Sequence, residues 1–217
     1  MMALEPQKLR HIAFQGYDQV VPLSGFSGAE IALLKSPSGS YFVRKVSSTT
    51  SGNEALRVQA TRQSSLRKIL VDVAQMPEVL NEGMVGDYYF FDMEFVPSRD
   101  ANSFLIEAPF RDIHRFAEGV SNILRQLSES PNEMAQKPEY EALRKKLKEI
   151  QLRTGGIYET HLGALEELFD QLEQADALGG ATLTHGDLTF ENILIDSQDR
   201  FWLIDSIPPP IEHYWLD

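Results

Sequence analysis

Thr184-His185-Gly186-Asp187-Leu188-Thr189-Phe190-Glu191-Asn192-Ile193-Leu194-Ile195-Asp196, with Phe201-Trp202-Leu203-Ile204-Asp205 just downstream, decides how this chain is read. Asp187 follows His-Gly, Asn192 comes five residues later, and Asp205 ends an apolar run thirteen residues after Asn192. The runs Ile193–Ile195 and Phe201–Ile204 flank the turn Ser197–Arg200, which predicts a hairpin. A hairpin of that kind holds Asn192 and Asp205 on rigid backbone. The residue types suit a definite chemistry. Asp187 can accept a hydroxyl proton and orient the oxygen that loses it. Asn192 offers a neutral amide oxygen to a hard cation. Asp205 offers a carboxylate, which Mg²⁺ takes together with phosphate oxygens and water. Phosphoryl transfer needs both: an oriented nucleophile and neutralised phosphate charge.

His-x-Asp, four residues, Asn, then a strand ending in Ile-Asp resembles the catalytic and metal-binding loops of the protein-kinase-like superfamily. Gly186, where protein kinases usually carry arginine, is similar to the aminoglycoside phosphotransferase and choline kinase branch of small-molecule kinases. The resemblance implies Asp187 as catalytic base, Asn192 and Asp205 as Mg²⁺ ligands, ATP as phosphate donor, and His185 as a residue that holds the loop. A chance Asp-Asn turn before a hairpin does not explain Asp205.

The N-terminal half is read against the same resemblance. Ser24-Gly25-Phe26-Ser27-Gly28 separates the apolar runs Val20–Leu23 and Glu30–Leu34. Gly25, Ser27 and Gly28 fit a loop whose backbone N–H groups approach phosphate oxygens. An ordinary hairpin turn explains the same residues. The next strand, Tyr41-Phe42-Val43-Arg44-Lys45-Val46, puts Lys45 on the face of Tyr41 and Val43, and Arg44 on the other. Lys45, two places after Val43, is assigned to the nucleotide phosphates, with Arg44 as its competitor. The family pairs this lysine with a glutamate on the next helix, and here the sequence departs. Glu54 falls in the first turn, so Gln59 is taken as the partner, ahead of Gln63. Tyr88–Val96 is an aromatic strand entering a hinge, where the resemblance implies that backbone groups between Met93 and Val96, including Glu94 and Val96, bind adenine.

The rest of the chain sets the frame. Apolar runs and turns over residues 1–50 predict antiparallel strands. A helix is expected from Glu54 to about Val73, then one or two strands over Val85–Val96. Helical spacing follows over Phe104–Leu127, Glu139–Gln151 and Tyr158–Leu172. The fold class is therefore α+β: a two-lobed protein-kinase-like fold, with an antiparallel sheet and one helix at residues 1–96 and a mainly helical part with the catalytic hairpin at residues 97–217. With 32 acidic and 20 basic residues the net charge is −12, which argues against nucleic acid and is permissive for a cationic substrate. There is no cysteine, hence no disulfide or thiol chemistry. No apolar stretch reaches the ~18 residues that span a membrane, and the protein is read as cytoplasmic. A P-loop of the Gly-x-x-x-x-Gly-Lys-Ser type is lacking.

The expected activity is transfer of the ATP γ-phosphate to a hydroxyl of a small molecule such as a sugar, an amino alcohol or an aminoglycoside-like compound. The rival is a catalytically weak kinase-like binding or regulatory module. It is supported by the missing glutamate, by Ser206-Ile207-Pro208 after Asp205, and by an ending that looks cut short twelve residues beyond Asp205. A protein kinase is disfavoured, because no activation segment follows.

Overall fold

The computed structural model describes residues 13–17, 19–23, 29–130, 140–155, 159–174 and 182–208. These fall into two compact units, one drawn from Met1–Ile123 and Leu188–Ile207, the other from Leu124–Asp187 and Pro208–Asp217. The expected boundary at residues 96 and 97 lies inside the first.

The first unit is built on a five-stranded sheet of β1 (Gln19–Leu23), β2 (Ala29–Lys35), β3 (Tyr41–Ser47), β4 (Val79–Val85) and β5 (Tyr88–Glu94). Its order is β1-β2-β3-β5-β4, antiparallel throughout. The β2–β3 turn closes because the Ser36 N–H donates to the Ser40 carbonyl at 2.9 Å and the Gly39 N–H to the Ser36 carbonyl at 2.9 Å. Gly39 takes a φ of 90°, a conformation that costs glycine little and other residues more. Strand β4 starts at Val79, well before the expected Val85. Its first half, Leu80-Asn81-Glu82, is exposed at the sheet edge, so it carries no alternating apolar signal.

Each face of the sheet has its own cover. Helix α1 (Asn53–Ile69) turns Leu56, Gln59, Ala60, Gln63 and Leu66 inward at helical spacing. Leu56 and Ala60 cluster with Ile31, Val43, Tyr89, Phe91 and Met93. The helix start is pinned to the sheet: Asn53 Nδ2 donates to the Asp87 carbonyl at 2.8 Å, and the Tyr89 N–H donates to Asn53 Oδ1 at 2.8 Å. The helix stops at Ile69, short of the expected Val73, and the Leu70 N–H closes it on the Leu66 carbonyl at 2.9 Å. On the opposite face Ala13 and Phe14 join Ala32, Leu34, Val46, Tyr88 and Phe90.

A second sheet, order β6-β7-β8, contains the expected hairpin, β7 (Ile193–Asp196) and β8 (Phe201–Leu203). Its third strand, β6 (Ser98–Asp100), has no apolar pattern and was not expected. Gln75 bridges Trp202, accepting from the Leu203 N–H and donating to the Phe201 carbonyl, both at 2.8 Å, so the segment after α1 is tied to β8. The single helix expected over Phe104–Leu127 is two: α2 (Ala101–Glu107) and α3 (Phe110–Glu129). Pro109 divides them, because a residue before proline is pushed out of helical geometry, and Ala108 has a ψ of 133°. Asp100 caps α2 by accepting from the Ser103 N–H at 2.8 Å. Phe116 of α3 stacks against Phe104, Phe190 and Phe201 at centroid distances of 6.1, 5.8 and 5.8 Å.

In the second unit, α4 (Tyr140–Thr154) and α5 (Glu159–Gln174) are joined by Arg144, which donates to Asp170 and Glu173 at 2.6 Å each. The Leu183 N–H donates to the Ser130 carbonyl at 3.0 Å. No helix among the described residues is long and apolar enough to cross a membrane.

Two helix glycines give opposite expectations. A Cβ at Gly119 would lie 2.3 Å from Phe201 Cζ, and that ring is braced on Phe116. Gly119→Ala therefore destabilises by ~1–3 kcal/mol despite its gain in helix propensity. Gly163→Ala in α5, with nothing within 4 Å, stabilises by up to ~1 kcal/mol. Urea titrations of the two variants check this, and equal gains would mean that α3 and β8 are not in tight contact.

Candidate functional site

Strand β3 carries two cations in succession, and the pleat sends them apart. Arg44 is buried on the face covered by residues 13–17. Its Nε donates to Asp92 Oδ1 at 2.6 Å, Nη2 to Asp92 Oδ2 at 2.9 Å, and Nη1 to the Ala13 carbonyl at 2.8 Å. The guanidinium also lies 4.3 Å from the Phe90 ring centroid. Burial works against its charge, but the Asp92 carboxylate outweighs burial and holds the Arg44 pKa above its ordinary value. Lys45 points to the α1 face, is 1% exposed, and pairs through Nζ with Asp205 Oδ1. Of the two cations, only Lys45 reaches the hairpin.

The hairpin brings Asp205 there. Ile193 sits opposite Leu203, and the Ile204 N–H donates to the Asn192 carbonyl at 3.0 Å, so the ladder runs to its open end. Asn192 and Asp205 flank that end. The closed end is fixed by Asp196, which accepts from the Gln198 and Arg200 N–H groups at 2.8 and 3.0 Å, Arg200 Nε at 2.7 Å and the Trp202 indole at 3.0 Å. Burial works to raise the Asp196 pKa, but the bonds from Trp202, Arg200 and Gln198 override it and hold it at about 2. Sequence reasoning passed over this residue, although an Asp followed two residues later by a turn N–H is a recognisable signal. Asp205 itself has a φ of 62°, a left-handed conformation shared among the described non-glycine residues only by Asp199. Such a conformation costs of order 1–3 kcal/mol and persists only where the surroundings over-determine it. Here the hairpin and the lysine do so.

Asn192 and Asp205 supply an amide and a carboxylate oxygen, the donor types of a hard cation. No group of three or more His, Cys, Asp or Glu suited to a metal occurs among the described residues. A metal held here needs oxygens from a ligand or water to complete its shell, which suits Mg²⁺ carried with a polyphosphate.

The other expected residues lie as follows. Gln59 is buried in α1 but makes no hydrogen bond to Lys45, whose partner is Asp205. Gln63, also buried, donates to the Pro77 carbonyl at 2.7 Å and meets Met93 Sδ at 3.6 Å. At the strand end expected to form a hinge, the Glu94 N–H donates to the Glu78 carbonyl at 2.9 Å, and the Glu94 side chain accepts from the Glu78 N–H at 3.3 Å. The Val96 carbonyl accepts from Ser98 Oγ at 3.0 Å. Gly25, Ser27 and Gly28 lie outside the described residues. In the second unit, Thr184 and His185 are fully buried, Gly186 has a φ of 88°, and the Asp187 side chain is exposed.

No curated protein matches this chain. Among solved structures, the gentamicin complex of APH(2")-IIa superposes with a TM-score of 0.60 at 16% identity, over 97% of this chain and 73% of that one. Aminoglycoside phosphotransferase APH(3'')-Id from Streptomyces rimosus gives 0.60 at 19% identity, over 97% and 80%. The PknI kinase domain of Mycobacterium tuberculosis gives 0.46 at 17% identity over 94% of this chain, which spans 63% of its length. At such identities the likeness to the two phosphotransferases establishes a kinase-like α+β fold. A family model, APH, the phosphotransferase enzyme family, matches residues 19–205, from the first sheet strand to the aspartate that meets Lys45. Matched over most of its length, this chain belongs to the APH phosphotransferase enzyme family.

Proposed function

We propose that this protein transfers the γ-phosphate of Mg-ATP to a hydroxyl of a small molecule. The observation that carries the proposal is the meeting of Lys45 with Asp205 at the open end of a hairpin that also bears Asn192. Lys45 is the phosphate-binding cation: it is buried, on the α1 face, and Arg44 is committed elsewhere. Asn192 Oδ1 and the Asp205 carboxylate would hold Mg²⁺, which when bound neutralises phosphate charge. Asp187, an exposed residue, accepts the proton of the acceptor hydroxyl. His185, buried beside it in sequence, supports the loop. Gly25, Ser27 and Gly28 cover the phosphates, and backbone groups around Glu94 and Val96 take the base. The acceptor is a sugar, an amino alcohol or an aminoglycoside-like compound, and the net charge of −12 favours a cationic one. The reading also takes the protein as cytoplasmic and not as a binder of nucleic acid.

A second reading, a catalytically weak nucleotide-binding or regulatory module, draws on one observation. The buried face of α1 carries glutamines and no glutamate, so Lys45 lacks a helix partner.

Two variants separate the readings. Asp187→Asn lowers kcat by ~10²–10⁴-fold, the usual worth of a positioned base, while nucleotide binding stays intact. Loss of nucleotide binding in that variant means that Asp187 is not acting as base. Mg-ATP at a hundred times its Kd stabilises the native state by about 2.7 kcal/mol, seen as a raised Tm, and Asp205→Ala abolishes the magnesium-dependent part. An unchanged shift in Asp205→Ala would remove the assigned metal site. A wild-type shift without turnover on any hydroxyl acceptor points to the module.

A further inference from the structure

Lys45 is buried, and among the described residues Asp205 is the one carboxylate that meets it. The inward face of α1 offers Leu56, Gln59, Ala60, Gln63 and Leu66, none of them acidic, and Glu54 is exposed in the first turn. Asp92 lies on the other side of the sheet, held by both forks of Arg44. A buried ammonium keeps its charge only beside a counter-charge. Asp205 is also the only carboxylate of the proposed metal pair, since Asp196 is committed to its own turn. One carboxylate is therefore wanted by two cations.

A bare divalent ion arriving at Asp205 would set itself and Lys45 against a single negative charge, and the buried lysine has no second acid to turn to. A polyphosphate removes the conflict, because its oxygens receive the ammonium and share the metal. We infer that Asp205 is the counter-ion of Lys45 in the nucleotide-free protein and gives it up to the metal only when a polyphosphate takes the lysine. The site thus excludes a free divalent cation and admits it together with the nucleotide. This rests on the phosphotransferase reading of Lys45, Asn192 and Asp205, and it assigns to Asp205 the partner role that a helix glutamate would fill.

Mn²⁺ titration followed by the electron paramagnetic resonance of the free ion tests it, in the full chain with and without ATP. Without ATP the wild type binds Mn²⁺ weakly, and Lys45→Met binds it at least about tenfold more tightly, the least expected of a close charge pair. The gain disappears in Lys45→Met/Asp205→Asn, and Lys68→Met, which removes an exposed lysine, shows none. Because ATP itself chelates Mn²⁺, the ATP arm is read as the Mn²⁺ that stays with the protein on rapid gel filtration: the wild type retains it and Asp205→Asn does not. Thermal unfolding without metal gives a second readout: Asp205→Asn lowers Tm more in the presence of Lys45 than in the neutral Lys45→Met background, because only the former strands a charge. Should Lys45→Met fold poorly by circular dichroism, Lys45→Gln takes its place. Equal Mn²⁺ affinity of the wild type and the neutral variant without ATP, while the ATP arm stays dependent on Asp205, overturns the exchange and leaves the phosphotransferase reading standing. An ATP arm indifferent to Asp205 removes the metal assignment, and the exchange with it.

Discussion

Two adjacent cations on a central strand, Arg44 and Lys45, are both buried, and each demands a carboxylate on its own side of the sheet. Removing a charge from water costs several kcal/mol unless an opposite charge and hydrogen bonds replace the solvent. The demand on the Arg44 side is met locally, since Asp92 lies directly across the β3–β5 ladder. Residues 13–17 then close over the pair, with the Ala13 carbonyl taking a third guanidinium bond. The demand on the Lys45 side cannot be met by either neighbouring strand, whose facing residues are Ile31 and Phe91. It is met by Asp205, 160 residues away in sequence, and this ties the five-stranded sheet to the hairpin.

That long-range tie depends on the stiffness of the hairpin. Its turn is locked by four bonds to Asp196, its ladder is extended at the open end by the Ile204–Asn192 bond, and β8 is held on its outer side by Gln75. Phe201 and Phe190 anchor it on Phe116. A flexible segment would let Asp205 relax out of its left-handed backbone conformation. Held at both ends, it keeps its carboxylate on Lys45.

Much of this was legible in the sequence, where local rules act. The pleat alone placed Lys45 and Arg44 on opposite faces, and the apolar runs around Ser197–Arg200 predicted β7 and β8. The break at Pro109 was equally readable but was masked by helical spacing on both sides of it. What escaped was non-local. The first half of β4 is polar because it is an exposed edge, and Ser98-Arg99-Asp100 is a strand only because β7 offers it an edge to pair with. The partner of Lys45 was sought on the following helix, where chain order and family pattern point. No spacing rule connects residue 45 to residue 205, so Gln59 was chosen for its position, and the carboxylate that serves the lysine had already been assigned to the metal.

That double claim on Asp205 bears on how a missing helix glutamate is interpreted. Where a glutamate stands on the helix, the lysine and the metal ligand each have their own charge balance, and the two can be occupied independently. In this chain the inward face of α1 is neutral, with Gln59 and Gln63 where an acid would serve. Gln63 spends its amide donor on the Pro77 carbonyl, at the entrance to β4, rather than on the lysine. Among the described residues, the balance of charge around Lys45 therefore rests on Asp205 of the hairpin. Absence of that glutamate is thus compatible with the proposed function: the counter-charge comes from the hairpin proposed to hold the metal, and the state of the lysine depends on what else Asp205 is holding.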